Sequence, residues 1–347
     1  MNDLGILVTG GAGYVGSHTL LRLEERACRV VVLDDLSTGN ADAVVHGKLI
    51  RGDVGDMDLV KRILREHRIG MVMHFAAKTV GPESVADPLL YYDSNTAKTR
   101  NLIACCVAAG VSNFVFSSTA AVYGVPPGGI AREDSPLAPI NPYGSSKLMS
   151  EKMLEDVSGA HALRYVTLRY FNVAGADPDA RVGQSKENCT LLTKVACEAA
   201  LGRRSHVNIY GTDYDTPDGT GVRDYVHVDD IARAHVAAID YLLDGGPSVT
   251  MNCGYGHGYS VREVMDAMER VHGQAIDVRL MPRRPGDPPT LIADATRIRS
   301  LLGWQPKHDD LEVMLRSALA WEHELLRRRA VPFMQGSARQ ATARTPS

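Results

Sequence analysis

Through the first half of the chain, apolar residues fall in short β-branched runs separated by longer stretches with helical spacing. Runs at 5–9, 29–33, 49–51, 71–75, 113–117 and 163–169 predict strands, and the stretches 14–26, 56–67, 89–109 and 142–157 predict helices. Strands apolar at successive positions need cover on both faces, and βαβ units building a parallel sheet provide it. Asn141 and Pro142 suit the N-cap and first turn of the last of these helices. From residue 175 the alternation breaks. A polar stretch to 188 precedes a helix at about 191–201, and the loop 211–222 is rich in Gly, Asp and Thr. Helices at about 229–243, 260–272 and 309–328 then alternate with short strands such as 249–252. The expected fold class is α/β, a Rossmann-type doubly wound parallel sheet over 1–174. A smaller α/β lobe over 175–334 shares some elements with it. Residues 335–347 carry no apolar periodicity and are expected to form a flexible tail.

Composition narrows the function classes. The chain has 347 residues, 44% hydrophobic and 23% charged, globular proportions with room for about two domains. A net charge of −3 offers no attraction to a phosphate backbone or an anionic bilayer, so no nucleic-acid or membrane partner is expected. No apolar run approaches the roughly 18 residues of a membrane span. The N-terminus enters a strand and a glycine turn without a basic, then apolar, leader, so a cytoplasmic location is expected. The six cysteines include no C-x-x-C, and the twelve histidines show no metal-binding spacing, so neither a disulfide framework nor a metal is expected.

The sequence GGAGYVG at 10–16 lies where the first strand meets the first helix. Gly10 and Gly13 let the backbone turn and approach a pyrophosphate at the helix N-terminus, and Gly16 lets helix and strand pack closely. Tyr14 and Val15 complete that turn. Asp34 ends the second strand, where a carboxylate accepts both ribose hydroxyls and repels a 2′-phosphate, favouring NAD over NADP. The plainer alternative is a tight strand-to-helix turn. Asp53, followed by Val54, either lies beside the adenine or caps the helix that starts near Asp56.

Tyr143 and Lys147 are four residues apart near a helix start, so both project from one face. The alternative is an exposed aromatic–lysine pair. The strand-end residues 116–119 (FSST) point to catalysis, because open α/β sheets bind ligands at the C-terminal ends of their strands. A free tyrosine titrates near ~10, and a nearby ammonium with an oxidised nicotinamide would stabilise its phenolate. Tyr143 would then serve as base, Lys147 would also hold the nicotinamide ribose, and Thr119 would donate to the substrate oxygen or to Tyr143.

Together these segments resemble the extended short-chain dehydrogenase/reductase family: the glycine turn, HFAA at 74–77, Asn95, residues 117–119 and Tyr143-x-x-x-Lys147. Within it the chain is similar to the UDP-glucose 4-epimerase branch through FSSTAAVYG at 116–124, NPYGSSKL at 141–148, RYFN at 169–172, GTGVRDYVH at 219–227 and RPGD at 284–287, over about residues 3–328. The resemblance implies a UDP-sugar substrate, tightly held NAD and a 4-keto intermediate that turns over before hydride returns. It implies cofactor contacts from Phe75, Ala76, Ala77, Asn95, Ser117 and Tyr170 besides those above. For the nucleotide-sugar it implies Phe171, Asn172, Val207, Asn208, Tyr210, Arg223, Arg284, Asp287 and Leu291. Arg223 and Arg284 would pair with the diphosphate and Asp287 with the uridine ribose. Plainer alternatives are a surface ion pair of Arg223 with Asp224 and a solvated charge run at Arg283-Arg284. A homodimer through the helices 89–109 and 142–157 is implied as well.

Three positions depart from the common pattern. Threonine stands at 119 for serine, Leu191 replaces a polar contact, and Leu291 is of intermediate size where the room for the sugar's C2 substituent is set. Sugar dehydratases of the same family place an acid pair after the hydroxyl, and decarboxylases usually keep a glutamate there. Here those positions are Ala120 and Ala121, which counts against both. An ordinary NAD dehydrogenase and a non-catalytic NAD-sensing protein are the remaining rivals.

Overall fold

Seven short strands account for the centre of the molecule: β1 (Gly5–Thr9), β2 (Arg29–Asp34), β3 (Lys48–Arg51), β4 (Ile69–His74), β5 (Asn113–Thr119), β6 (Arg164–Tyr170) and β7 (Val249–Cys253), all but the edge strand β3 buried along most of their length. The structure, a computed structural model, describes residues 5–26, 28–284 and 286–341, the last eleven of these by backbone alone. All seven strands pair in parallel in the order β7-β6-β5-β4-β1-β2-β3. The chain leaves β1 in one direction and returns on its other side at β4. A crevice therefore opens where the C-terminal ends of these two neighbours diverge, with Thr9 level with His74.

Strand side chains alternate between two apolar layers. Ile6, Val8, Val30, Val32, Met71 and Met73 pack on one face with Leu20 and Leu23 of helix α1 (Tyr14–Glu24). Leu7, Val31, Leu33, Val72, Phe114 and Phe116 pack on the other with Val60, Ile63 and Leu64 of helix α2 (Met57–Glu66). Each fully buried side chain of this kind is worth roughly 1.5–3 kcal/mol, so the layers hold the sheet rigid under the crevice.

The smaller lobe carries a four-stranded sheet of Tyr259–Ser260, Val222–Arg223, Thr290–Ala293 and Ile130–Ala131, and a pair of Val207–Tyr210 with Val278–Met281. Sharing runs both ways. The strand Ile130–Ala131 comes from the first half, whereas β7 and the helix Val228–Leu243 from the second half complete the large sheet and its cover.

Two elements differ from expectation. The continuous helix expected over 89–109 is a helical turn (Pro88–Tyr91), a wide π-helical turn (Tyr92–Ala97) and then helix α3 (Lys98–Ala109). The reason is Asn95, buried in the wide turn with its amide bonded to Lys78 N–H (2.8 Å), Lys78 C=O (2.9 Å) and Ser146 Oγ (3.0 Å). The C-terminal helix (Leu311–Ala341) runs past residue 335 into the segment expected to be a tail, carried by good helix formers such as Ala338, Arg339 and Gln340. Residues 342–347 lie outside the described residues.

Candidate active site

The glycine turn is built for close approach. Gly10 has φ +72°, and a Cβ there would come within 2.4 Å of Ala76 N beyond the end of β4. A Cβ on Gly16 would come within 2.4 Å of the Gly10 carbonyl oxygen. Gly13 caps α1 with no side chain on the helix's first N–H groups, an arrangement that suits an anion. Asp34, at the end of β2, accepts Ala12 N–H (2.9 Å) on one oxygen and Leu36 N–H (2.8 Å) on the other. Burial holds its carboxyl above the usual range, and an incoming pair of hydroxyls would satisfy the lone pairs that remain. A carboxylate beside a cradle that only glycine permits fits the adenosine diphosphate half of NAD.

These residues open into one cleft of 390 Å³. Of those expected to bind cofactor, Gly10, Gly13, Tyr14, Val15, Gly16, Asp34, Asp53, Val54, Phe75, Ala76, Ala77, Tyr143 and Tyr170 line it, together with Thr119, Phe171 and Asn172. Tyr14 is fixed by a hydrogen bond from its hydroxyl to Gly175 C=O. Asp53 is not the helix cap. Asp56 accepts Asp58 and Leu59 N–H in that role, while Asp53 accepts Gly55 N–H (2.7 Å) and pairs with Lys98 (2.6 Å). Asn95 and Ser117 stand behind the wall. Asn95 spends its amide on Lys78 and Ser146, and the Ser117 hydroxyl meets His235 Nε2 at 2.8 Å.

Helix α4 (Pro142–Ala160), capped by Asn141 on Gly144 N–H (2.9 Å), brings Tyr143 and Lys147 to the end of β5. Burial pushes Tyr143 above its ordinary value, and a hydrogen bond with Thr119 opposes the rise. Lys147 is buried with its ammonium on Ser117 C=O (2.8 Å) and over the Phe116 ring (4.8 Å), and burial lowers its pKa to about 7. The expected lowering of Tyr143 by Lys147 is therefore not present in the protein alone: the ammonium is turned to the Ser117 carbonyl, and Thr119 is the group that favours phenolate. Below them a buried ion pair, Arg169 with Glu151 (2.6 Å), also binds Ser118 and ties the middle of the FSST strand end to α4.

A second group lies beyond the cleft. Arg284 stacks on Tyr210 (4.6 Å) and pairs with Asp287 (2.9 Å), and Arg223 is level with Leu291 across a parallel strand pair. It joins the cleft through Asn172, whose N–H donates to Asp224 C=O (2.9 Å). Asn208 and Tyr210 point outward on their strand, whereas Val207 turns into the core by strand alternation and offers a ligand only its backbone. The surface ion pair of Arg223 with Asp224 does not form. Asp224 is fully buried and accepts N–H groups of Tyr255, Gly256 and Ala293, and burial raises its pKa to about 6. Nor is the basic pair merely solvated, since Arg283 stacks on Tyr214 (4.2 Å) and Arg284 on Tyr210.

Thr79, Lys98, Gln184, Lys186 and Thr190 also line the cleft and were not singled out from sequence. Thr79 could have been found by following the loop beyond β4 further than Ala77, because strand ends of a parallel sheet gather ligand contacts. Leu191 lines the cleft as the uncapped N-terminal residue of the helix Leu192–Ala200, so the backbone there can serve where the polar side chain is missing.

Known proteins are similar to this chain over most of its length. Residues 6–254 match the NAD dependent epimerase/dehydratase family. A UDP-glucose 4-epimerase of Azospirillum brasilense is 56% identical over 321 residues, 92% of each chain. The crystal structure of UDP-glucose 4-epimerase from Brucella ovis in complex with NAD is 42% identical with TM-score 0.89, covering 91% of this chain and 98% of that one. The UDP-Glc/GlcNAc 4-epimerase of Campylobacter jejuni is 49% identical with TM-score 0.81, covering 92% and 99%. The glycine cradle, Asp34, Tyr143 and Thr119 thus occur on a chain matched over most of its length, and the protein belongs to the NAD-dependent epimerase/dehydratase family.

Proposed function

We infer that the protein is a UDP-glucose 4-epimerase, interconverting UDP-galactose and UDP-glucose with NAD retained between turnovers. The observation that carries this reading is the opening of the Tyr143–Thr119 pair into the same cleft as the glycine cradle and Asp34. When bound, NAD supplies a hydride acceptor and, on the return, a hydride donor at the sugar's C4. Gly10, Gly13 and Gly16 let the α1 N–H groups meet its pyrophosphate, Asp34 takes the adenosine ribose, and Asp53 and Val54 flank the adenine. Tyr143 removes the proton of the C4 hydroxyl as hydride leaves C4 and, after the sugar has turned about its diphosphate link, returns that proton to the ketone oxygen as hydride adds to the opposite face. Thr119 steadies the C4 oxygen and the Tyr143 phenolate, and Lys147 holds the nicotinamide ribose while fixed to Ser117. Phe171, Asn172, Arg223, Arg284 and Asp287 keep the UDP moiety in place while the sugar rotates. Ala120 and Ala121 offer no acid or base to remove water or carbon dioxide, which fits epimerisation.

N-acetylated UDP-hexoses are a second reading, left open by the intermediate size of Leu291 and favoured by the 49% identity with the Campylobacter enzyme. The functional unit we propose is a homodimer. Leu89 and Met149, 77% and 46% exposed, lie on the two segments expected to pair, and sedimentation velocity tests the assembly. No helix among the described residues is long and apolar enough to cross a membrane, which accords with the cytoplasmic location we propose. The direct test is incubation of purified protein with UDP-galactose and no added NAD, with chromatographic separation of the UDP-sugars. The reading predicts UDP-glucose at a fixed final ratio from either starting sugar, and no product even with added NAD contradicts it.

A further inference from the structure

Tyr214 lies in the loop joining the strands Val207–Tyr210 and Val222–Arg223, and everything about it except its hydroxyl is fastened. Its N–H donates to Gly219 C=O (2.9 Å) and its carbonyl accepts Thr216 N–H (2.9 Å). One ring edge rests on Gly211, where a Cβ would come within 2.4 Å of Tyr214 Cε2. The Arg283 guanidinium covers the ring face at 4.2 Å and is itself held by Asp213 (2.7 Å). The side chain is 7% exposed, and its hydroxyl oxygen is out of solvent without a hydrogen-bond partner among the described residues.

A rigidly placed, unpaired buried hydroxyl costs stability unless something else uses it. The charges of Asp287, Arg223, Arg283 and Arg284 are near enough to act on it. Arg223 is also under-used: among the described residues its side chain donates only to the carbonyls of Val222 (2.9 Å) and Pro289 (3.3 Å). Arg283 is matched by Asp213 and Arg284 by Asp287, which leaves the Arg223 guanidinium as the surplus positive charge of a donor-rich surround that suits a diphosphate better than a sugar or a base.

We propose that Tyr214 is a substrate-binding residue whose hydroxyl donates a hydrogen bond to the diphosphate of the nucleotide-sugar, beside Arg223 and Arg284. The assignment rests on the UDP-sugar reading above. It gives the hydroxyl the partner that the protein alone withholds.

The test is isothermal titration of UDP into the NAD-loaded wild type and Tyr214→Phe, with steady-state kinetics and thermal melts of both. Phenylalanine keeps the ring contacts with Gly211 and Arg283 and deletes only the unpaired oxygen, so the variant should melt at or above the wild-type temperature. Loss of one hydrogen bond to a charged group should weaken UDP binding roughly tenfold, raise KM similarly and leave kcat unchanged. Equal UDP affinity in the two proteins overturns the assignment and leaves the epimerase reading standing. A wild type that does not bind UDP overturns the epimerase reading, and the assignment falls with it.

Discussion

In the proposed mechanism Tyr143, Thr119 and Lys147 divide the work at one end of the cleft, and two substitutions separate their parts. Tyr143→Phe removes the hydroxyl assigned to take the C4 proton, so kcat should fall by about 10²–10⁴ while NAD stays bound. Near-normal turnover in this variant would remove Tyr143 from the mechanism. Lys147 is charged at a cost, since burial lowers its pKa from 10.5 to about 7. Between these values the unfolded chain binds a proton that the native protein does not, so stability rises with pH across that window. Lys147→Met should therefore melt higher than wild type at pH 7 and lose this share of the rise, which thermal melts from pH 7 to 10 would show. The tyrosine, the threonine and Asp34 were legible in sequence because each sits at a strand or helix end defined by nearby residues. The seat of Lys147 on Ser117 C=O was not, because it depends on how deeply α4 sinks against β5. Nor was the burial of Asp224, whose three N–H donors come from Tyr255, Gly256 and Ala293, distant in sequence.

The elements that make the site are β1 with its glycine turn, the end of β5 and the first turns of α4. Gly10→Ala tests the first of them. The residue would need φ near +72° and a Cβ 2.4 Å from Ala76 N, so β1 and the end of β4 must part. The expected result is protein with native circular dichroism that retains much less NAD, measured as nucleotide released by acid. Full NAD content would mean that the cradle tolerates a side chain. Apolar periodicity located β1, β2, β5 and β6 well because each is buried on both faces. It misread 89–109, where apolar spacing runs on through a wide turn opened by the hydrogen bonds of Asn95, a tertiary event invisible to periodicity. The Glu151–Arg169 pair beneath the FSST strand end was equally hidden, since either charge alone reads as surface.

At the scale of the whole molecule, the interior sets the response to acid. Burial lowers the pKa of His18 to about 4, His74 to about 3, His227 to about 3 and His235 to about 4. Below pH 6.5 the unfolded chain protonates these rings while the native one does not, so each removes up to about 1.4 kcal/mol of stability per pH unit. Asp224, raised to about 6, works in the opposite direction as pH falls toward 3.8, and four histidines outweigh it. Urea unfolding at pH 7.5 and 5.5 should show a large loss at the lower pH, and equal stabilities would contradict the burial of these rings. The break in the strand–helix rhythm at residue 175 was legible in the sequence. The return of β7 and of the helix Val228–Leu243 to the first sheet specifies how tightly the lobes are interlocked, and only three-dimensional pairing shows it.

The central claim is that C4 is inverted by hydride that never leaves the enzyme. Proton NMR in deuterium oxide, with UDP-galactose and purified protein but no added NAD, tests it most directly. The account predicts growth of the UDP-glucose anomeric signal with protium fully kept at C4, because the hydrogen removed is the hydrogen returned. Deuterium at C4 of the product would mean exchange with solvent and a proton-abstraction mechanism, and would contradict the account.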